Sequence, residues 1–305
     1  MKDLKSIVRD PVYATYESQL EHEVRDGGMP RHIAIIMDGN RRYAKEVLGG
    51  SPMEGHRLGR DKLEEVLHWC LGLDIEILTV YAFSMENFRR DQDEVDYLMS
   101  LLKQSLYEFA DDREVQEKKV AIRVIGQRDV LPDDVQQAMD YAYERTAGFD
   151  QHVLNMAIAY GGRQDITDAV RSIARDVSEG RMSVDDIDER MISRYISTTG
   201  LPDPDLVLRT SGEVRISNFL LWQMAYSELY FTDVYWPGFR RIDFLRAIRT
   251  YQQRTRRFGS RSCTTIWCSC THRACTISGR SRSSTARSRM SSRHLPCSRC
   301  IRWGS

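Results

Sequence analysis

Short apolar runs alternate along the chain with longer stretches in which apolar residues recur at helical spacing. Most runs are almost entirely apolar and end in turn residues, which is typical of strands buried on both faces of a parallel sheet, whereas the run at 119–126 alternates. This alternation predicts a single α/β domain with a mainly parallel sheet. The predicted strands cover residues 32–37, 76–83, 119–126, 152–160 and 205–208, and a last strand begins at residue 227. The predicted helices cover residues 54–70, 92–112, 132–147, 163–178, 184–198 and 219–226.

Residues 1–29 precede this alternation and form a polar segment of their own. Apolar residues recur every four positions from Val12 to Val24, and glycines follow at 27 and 28. This spacing predicts one amphipathic helix whose apolar side packs on the main domain. We therefore expect an N-terminal helical segment over residues 1–29 and the main domain over residues 30–259.

Residues 260–305 differ abruptly in composition from the rest of the chain. They contain twelve Ser, nine Arg and six Cys, but no Lys, Asp or Glu. The whole chain has 44 basic and 44 acidic residues, so residues 1–259 hold 35 basic against 44 acidic residues and the tail has a net charge of +9. A shifted reading frame explains this change best, and the composition predicts a disordered tail.

Two other interpretations of the tail stay open. Cys297 and Cys300 have the spacing of zinc ligands, although the four other tail cysteines do not repeat it. The arginines could also bind nucleic acid through charge alone. We nevertheless expect no nucleic-acid partner for this protein.

The sequence contains no apolar run of the ~20 residues that a membrane span needs. Its first residues are not followed by the apolar segment of a secretory signal. Cys70 is the one cysteine before the tail, which is ordinary for a reducing compartment. These observations predict a cytoplasmic protein.

The first predicted strand ends in the turn Asp38-Gly39-Asn40, which Arg41 and Arg42 follow. A strand, a tight turn and a helix start place unpaired backbone N–H groups at the carboxyl edge of a sheet, where phosphate binds. The two arginines favour an anion, whereas the carboxylate would repel one unless a divalent cation lay between them. The turn therefore suggests a magnesium–diphosphate site, and a solvated turn is the alternative interpretation.

Two further strands end in similar polar residues. Asn87 and Arg90 follow the second strand, and Arg209 and Arg215 follow the fifth. The carboxyl ends of parallel strands share one edge of the sheet, and arginine binds phosphate oxygens through two parallel hydrogen bonds. Glu228 is the second residue of the last predicted strand, where it is either a second metal ligand or an ion-pair partner of Arg209. Two diphosphate-like sites, a carboxylate and an apolar lining suggest the joining of two isoprenoid diphosphates.

Five motifs together resemble the cis-prenyltransferases of the undecaprenyl and dehydrodolichyl diphosphate synthase family. They occur in the family's order, and they span about residues 30–259. The motifs are HIAIIMDGNRRYA at 32–44, GH at 55–56, YAFSMENF at 81–88, RTSGEVRISNFLLWQ at 209–223 and RRFG at 256–259.

The resemblance implies a fold and an activity. The expected fold is a single domain with a six-stranded, mainly parallel sheet flanked by helices, distinct from the Rossmann fold. The expected reaction condenses isopentenyl diphosphate onto an allylic primer, farnesyl or geranylgeranyl diphosphate, to give a long polyprenyl diphosphate such as undecaprenyl diphosphate. A homodimer is expected, and peripheral contact with a membrane through the lipid product is a further expectation.

The resemblance also implies roles for individual residues. Asp38 and Glu228 would hold Mg²⁺, and Asn87 would act in proton removal from isopentenyl diphosphate. The primer's diphosphate would be bound by Gly39, Asn40, Arg41 and Arg42, with Tyr43 and His56 beside it. Arg90 would lie beside Asn87, and further substrate-binding residues are expected at Ser84, Met85, Glu86 and Phe88. Residues assigned to isopentenyl diphosphate are Arg209, Arg215, Ile216 and Ser217, with Arg257 and Gly259 reaching the neighbouring subunit's site.

Two departures from the family pattern affect these expectations. Many members carry an arginine before the Gly-His motif, but residues 47–54 contain none, so the phosphate contact of that arginine cannot be carried over to this chain. Tyr43 stands where bacterial members often have tryptophan, which keeps an aromatic ring there. A non-catalytic partner subunit is the alternative function. Such subunits typically lose the equivalents of Asp38 and Asn87, and both are present here.

Overall fold

The computed structural model describes residues 11–254. The tail and the terminal residues Arg257 and Gly259 lie outside the described residues. The helices are α1 Pro11–Arg25, α2 Asn40–Tyr43, α3 Pro52–Gly72, α4 Gln92–Asp111, α5 Arg113–Glu117, α6 Asp133–Arg145, α7 Gly162–Ser178, α8 Glu189–Tyr195 and α9 Arg241–Gln253. The strands are β1 His32–Ile36, β2 Ile77–Ser84, β3 Val120–Ile125, β4 His152–Tyr160, β5 Leu206–Arg209 and β6 Glu228–Phe231.

The six strands form one sheet in the order β3-β4-β2-β1-β5-β6. Every pair is parallel, so the predicted α/β fold with a six-stranded parallel sheet is confirmed. All five residues of β1 are buried, as its unbroken apolar run predicts for a central strand. Ile36 is level with Tyr81 of β2 and with Arg209 of β5. The carboxyl ends of these three strands therefore meet at one edge of the sheet.

The N-terminal helix α1 packs its apolar side on the domain. Leu20 and Val24 are fully buried in the main core together with Phe244 and Ile248 of α9. Arg241 of α9 reinforces this contact through ion pairs with acidic residues of α1. Along residues 11–254, no helix is both long and apolar enough to cross a membrane.

The helix predicted over residues 219–226 is wrong. This segment is a series of turns, and Ser217, Asn218 and Leu220 have left-handed backbone angles, with φ of 46°, 62° and 40°. Phe219 and Leu220 are fully buried in a second, smaller core cluster. The apolar spacing of the segment therefore reflects burial of a turn, because the preceding loop enters it in a conformation that excludes an α-helix.

His32 begins β1 and is buried in neutral form. Its Nδ1 lies 2.7 Å from the carbonyl oxygen of Pro202, and its Nε2 lies 2.7 Å from the hydroxyl of Thr79. A carbonyl can only accept, so Nδ1 carries the proton and Nε2 accepts from the threonine. Burial lowers the pKa of His32 from 6.5 to about 4. Its protonation therefore opposes folding.

We expect stability to fall as the pH drops below 6.5 because of this histidine. Between pH 6.5 and 4 the unfolded chain binds a proton that the folded chain excludes, so the free energy of unfolding decreases with falling pH. At pH 4, His32 is expected to lower the free energy of unfolding by about 3 kcal/mol relative to neutral pH, because each pKa unit corresponds to about 1.36 kcal/mol. Urea unfolding of wild type and His32→Gln at pH 7 and 4.5 measures it. Equal losses of stability in the two proteins would contradict this assignment.

Candidate active site

The turn after β1 lies at the centre of the site. Gly39 has a φ of 105°, which glycine adopts readily, and α2 begins at the next residue. A Cβ at this position would lie 2.8 Å from the ring of Tyr235 and 2.9 Å from Ser211. Thr210 fixes the turn, because its hydroxyl accepts from the Asp38 N–H at 3.0 Å and donates to the Asp38 carbonyl at 2.7 Å. These two hydrogen bonds link the end of the first strand to the end of the fifth.

The Asp38 carboxylate lies between two arginines. Arg209 donates from Nη2 to Oδ2 at 2.6 Å, and Nη2 of Arg42 lies 3.4 Å from Oδ1. Burial alone would raise the pKa of Asp38, but the hydrogen bond and charge of Arg209 and the charge of Arg42 outweigh it and hold this pKa below its usual value. The carboxylate is therefore ionised at neutral pH.

Arg209 is 3% exposed and links three parts of the site. Besides its bond to Asp38, it donates to the carbonyl of Arg215 and, at 2.7 Å, to the hydroxyl of Ser217. Its Nε has no hydrogen-bond partner among the described residues. The sequence-predicted residues Asp38, Arg209 and Ser217 therefore come together. The side chain of Arg215 is 60% exposed and pairs with Glu213.

The two arginines of the turn differ in their surroundings. Arg42 donates to the Ser211 hydroxyl at 2.6 Å and to Glu213 at 3.1 Å. Arg41 is half exposed, and its Nε lies 3.6 Å from a carboxylate oxygen of Glu94. The ring of Tyr43 lies beside Gly238, where an added Cβ would be 3.4 Å from it.

Glu94 is a site residue that the sequence analysis missed. This carboxylate is 5% exposed, accepts from Nε2 of His56 at 2.9 Å and accepts from Arg90 at 2.7 Å. Burial alone would raise the pKa of Glu94, but these bonds outweigh it and hold the pKa below its usual value. For His56, burial lowers the pKa, and the hydrogen bond to Glu94 offsets part of this decrease. Glu94 therefore orients His56 and two predicted phosphate-binding arginines.

Asn87 lies in the short 3₁₀ helix Met85–Arg89 that follows β2. Its Oδ1 accepts from the Ser84 N–H at 2.9 Å, which fixes the side chain beside the cavity that it lines. Ser84 and Glu86 line the same cavity. Other predicted substrate-binding side chains pack into the protein, because Met85 and Phe88 contact the main core and Ile216 contacts the second core cluster.

Two adjoining pockets meet at these residues. A cavity of about 560 Å³, called the apolar cavity here, extends between the sheet, α3 and α4; polar side chains line it near Asp38 and mainly apolar ones line it along α3 and α4. A polar pocket of about 500 Å³ is lined by four cationic side chains, Arg41, Arg42, Lys45 and Arg90. The residues that line both pockets are Met37, Asp38, Asn40, His56 and Arg90. This arrangement suits an amphiphile with an anionic head group and a hydrocarbon chain.

Within a single chain Glu228, the expected second ligand of the metal site, lies away from this junction and is not brought together with Asp38. It is the first residue of β6 and is level with Leu206, which is itself level with Ile33. Asp38 lies beyond Ile36, at the other end of the sheet, and the strand from Ile33 to Ile36 alone spans roughly 10 Å. The Glu228 carboxylate instead pairs with Arg254 at 2.8 Å.

Asp38 supplies an ionised carboxylate that fits a divalent cation at the junction. Within residues 11–254, no three His, Cys, Asp or Glu side chains cluster as a metal site. Mg²⁺ is commonly held by one or two carboxylates together with substrate phosphates, rather than by a protein cage. An ionised Asp38 beside a cationic pocket fits that mode of binding.

The comparisons with known proteins agree with this geometry. The family model described as putative undecaprenyl diphosphate synthase matches residues 36–259. A protein of Thermococcus kodakarensis, named tritrans,polycis-undecaprenyl-diphosphate synthase (geranylgeranyl-diphosphate specific), is 53% identical over 253 residues, which cover 83% of this chain and 96% of the relative. A protein of the same name from Methanocaldococcus jannaschii is 52% identical over 250 residues, covering 81% and 89%.

Two solved structures are also similar. Lavandulyl diphosphate synthase from Lavandula x intermedia, in complex with dimethylallyl diphosphate, has a TM-score of 0.72 and 36% identity over 78% of this chain and 100% of its own. A probable undecaprenyl diphosphate synthase from Campylobacter jejuni has a TM-score of 0.63 and 30% identity over 76% and 100%. With its parallel sheet and its site at the strand ends, the chain belongs to the undecaprenyl diphosphate synthase family of cis-prenyltransferases.

Proposed function

We propose that this protein elongates geranylgeranyl diphosphate with isopentenyl diphosphate, in cis, to an undecaprenyl-length polyprenyl diphosphate. The observation that carries the proposal is the position of Asp38, ionised between Arg42 and Arg209, where a cationic pocket meets an apolar cavity. The names of relatives that are 52–53% identical support the choice of primer and product. The presence of Asp38 and Asn87 favours an active enzyme over a non-catalytic partner subunit.

The primer binds with its diphosphate in the cationic pocket and its hydrocarbon in the apolar cavity. Arg41, Arg42 and Arg90 neutralise the diphosphate, and Gly39 lets the backbone approach it closely. Glu94 holds Arg90 and His56 in place, which reduces the reorganisation that substrate binding requires.

Isopentenyl diphosphate binds beside Arg209, Arg215 and Ser217. Arg209 already directs one nitrogen to Asp38 and another to Ser217, so a diphosphate bound there adjoins the head group of the primer. Arg215 is exposed enough to exchange its contact with Glu213 for a phosphate. This placement brings the two reacting carbons together in one site.

The reaction breaks the allylic carbon–oxygen bond, and diphosphate leaves with the electron pair. A carbon–carbon bond forms to the terminal carbon of isopentenyl diphosphate, whose C2 loses a proton. Asp38 would hold Mg²⁺, which supplies charge neutralisation for the departing diphosphate. Asn87 is a poor base, so its role is to orient isopentenyl diphosphate, with a diphosphate oxygen as the proton acceptor.

The assembly around this site is part of the same proposal. Two copies of the chain form a homodimer in the cytoplasm, and the lipid product brings the enzyme to a membrane surface. Arg257 and Gly259 complete the neighbouring subunit's isopentenyl site. The arginine supplies a positive charge, and the glycine lets the backbone approach the phosphate closely. The interpretation of residues 260–305 as a frame-shifted tail assigns that segment no part in catalysis.

The primer preference tests the proposed function. Purified protein with Mg²⁺ and radiolabelled isopentenyl diphosphate is offered farnesyl or geranylgeranyl diphosphate, and kcat/KM is measured for each primer. We expect geranylgeranyl diphosphate to be preferred. A preference for farnesyl diphosphate would contradict the assigned primer, and no incorporation with either primer would contradict the proposed function.

A further inference from the structure

An arginine lines the otherwise largely apolar far part of the cavity. Arg60 lies on α3 one turn beyond His56, and its side chain is 17% exposed. Leu63 of the same helix and Met156 of β4 also line the cavity. A guanidinium is a poor neighbour for hydrocarbon, because removing a charge from water is costly unless it is paired.

The ion-pair partner of Arg60 is Glu108 of α4, which lies just beyond the α4 residues that line the cavity. The α4 residues that line the cavity beyond Arg90 are Leu98, Leu101, Leu102 and Ser105. Glu108 follows one helical turn after Ser105, and its carboxylate pairs with the Arg60 guanidinium. Glu108 lies fourteen residues from Glu94, which corresponds to about 21 Å of helix from the diphosphate end. On α4 the ion pair therefore lies one turn beyond the last lining residue, far from the diphosphate end, whereas on α3 its arginine lies one turn after His56.

Stability alone does not account for this ion pair. Glu108 is 43% exposed, and pairs of this kind contribute about 0–1 kcal/mol to folding. The Arg60 Nε is buried and has no hydrogen-bond partner among residues 11–254, which is a further cost. Arg60 also has acidic neighbours on its own helix, with Asp61 at 3.0 Å and Glu64 at 3.7 Å. It could therefore stay paired on α3 without reaching across to α4.

We propose that the Arg60–Glu108 pair closes the far end of the cavity and limits product chain length. The inference rests on the proposed function, since it concerns the polyprenyl chain that this reaction extends. A hydrocarbon that grows from the diphosphate end meets the pair after filling the cavity. Further growth requires the chain to separate the two charges or to cover them with hydrocarbon, and both changes cost free energy. Arg60 thus acts as a specificity-determining residue.

Product length in matched variants tests this inference. Arg60→Met keeps an unbranched side chain and removes the charge, and Glu108→Leu frees Arg60 to turn to Asp61. Arg57→Met is the control, because Arg57 lies on the same helix, is 54% exposed and pairs with Asp61 at 3.1 Å. Products made from geranylgeranyl diphosphate and excess isopentenyl diphosphate are measured by mass spectrometry. The rate of the first condensation and the melting temperature are measured in parallel.

We expect Arg60→Met to lengthen the main product by one or more isoprene units, with a smaller shift in the same direction for Glu108→Leu. The first condensation and the products of Arg57→Met should match wild type, because neither depends on the cavity end. Wild-type product lengths in both folded Arg60→Met and folded Glu108→Leu would overturn the inference. If Arg60→Met does not fold, Glu108→Leu alone decides it. Absence of product from the wild-type enzyme would instead overturn the proposed function.

Discussion

Replacing Asp38 by alanine is expected to lower kcat by roughly 10²–10³-fold, the usual effect of removing a preorganised electrostatic group. The carboxylate lies where the two pockets meet, and it is the group that would hold Mg²⁺ against a departing diphosphate. It belongs to a polar turn and is 28% exposed, so its replacement removes no core side chain, although Arg209 loses its carboxylate partner. Turnover of radiolabelled isopentenyl diphosphate measures the effect.

Asp26→Ala is the matched control for Asp38→Ala. Asp26 follows α1, is 73% exposed and pairs with His22. This variant should keep wild-type turnover, and both variants should keep the wild-type circular dichroism spectrum. If Asp38→Ala retained more than a tenth of the wild-type rate, the assignment of Asp38 to the metal would be wrong.

Arg209→Lys is expected to lower kcat/KM for isopentenyl diphosphate by roughly 10²-fold, because a lysine cannot reproduce the fork of an arginine. The Arg209 guanidinium contacts Asp38, Arg215 and Ser217 at the same time. The single ammonium group of a lysine side chain would reach fewer of these three partners. Loss of these contacts loosens both strand ends, so kcat and KM should both change.

Arg215→Lys serves as the comparison for Arg209→Lys. Arg215 is 60% exposed and makes its side-chain contact with Glu213, so its substitution should chiefly raise KM for isopentenyl diphosphate. Steady-state kinetics at saturating primer separate the two parameters. Equal, small effects of both substitutions would show that Arg209 does not organise the isopentenyl site.

The strands and the position of the site follow from local sequence. The apolar run at 32–36 belongs to a strand buried on both faces, and the polar residues after it lie at the carboxyl edge, where parallel strands bind ligands. Asp38 and Arg209 are 171 residues apart, yet Asp38 follows one strand of this kind and Arg209 ends another. Strand direction therefore predicts that they lie at the same edge of the sheet, and the adjacency of β1 and β5 brings them into contact.

Other features depend on tertiary contacts that the local pattern does not record. Glu94 looks like an ordinary acid in the first turn of a helix, and its i,i+4 spacing from Arg90 was the one available signal. Glu228 begins a strand, so the parallel direction that brings Asp38 to the site carries Glu228 away from it. The segment 219–226 has helical spacing, but residues at its start have left-handed backbone angles, which a right-handed helix cannot contain.

The configuration of the newly formed double bonds tests the central claim most directly. Product made from all-trans geranylgeranyl diphosphate and ¹³C-labelled isopentenyl diphosphate is analysed by NMR, so that the labelled added units are distinguished from the unlabelled units of the primer. The account predicts that every added unit has a cis double bond and that the product still carries the trans bonds of its primer. Trans double bonds in the added units would contradict it.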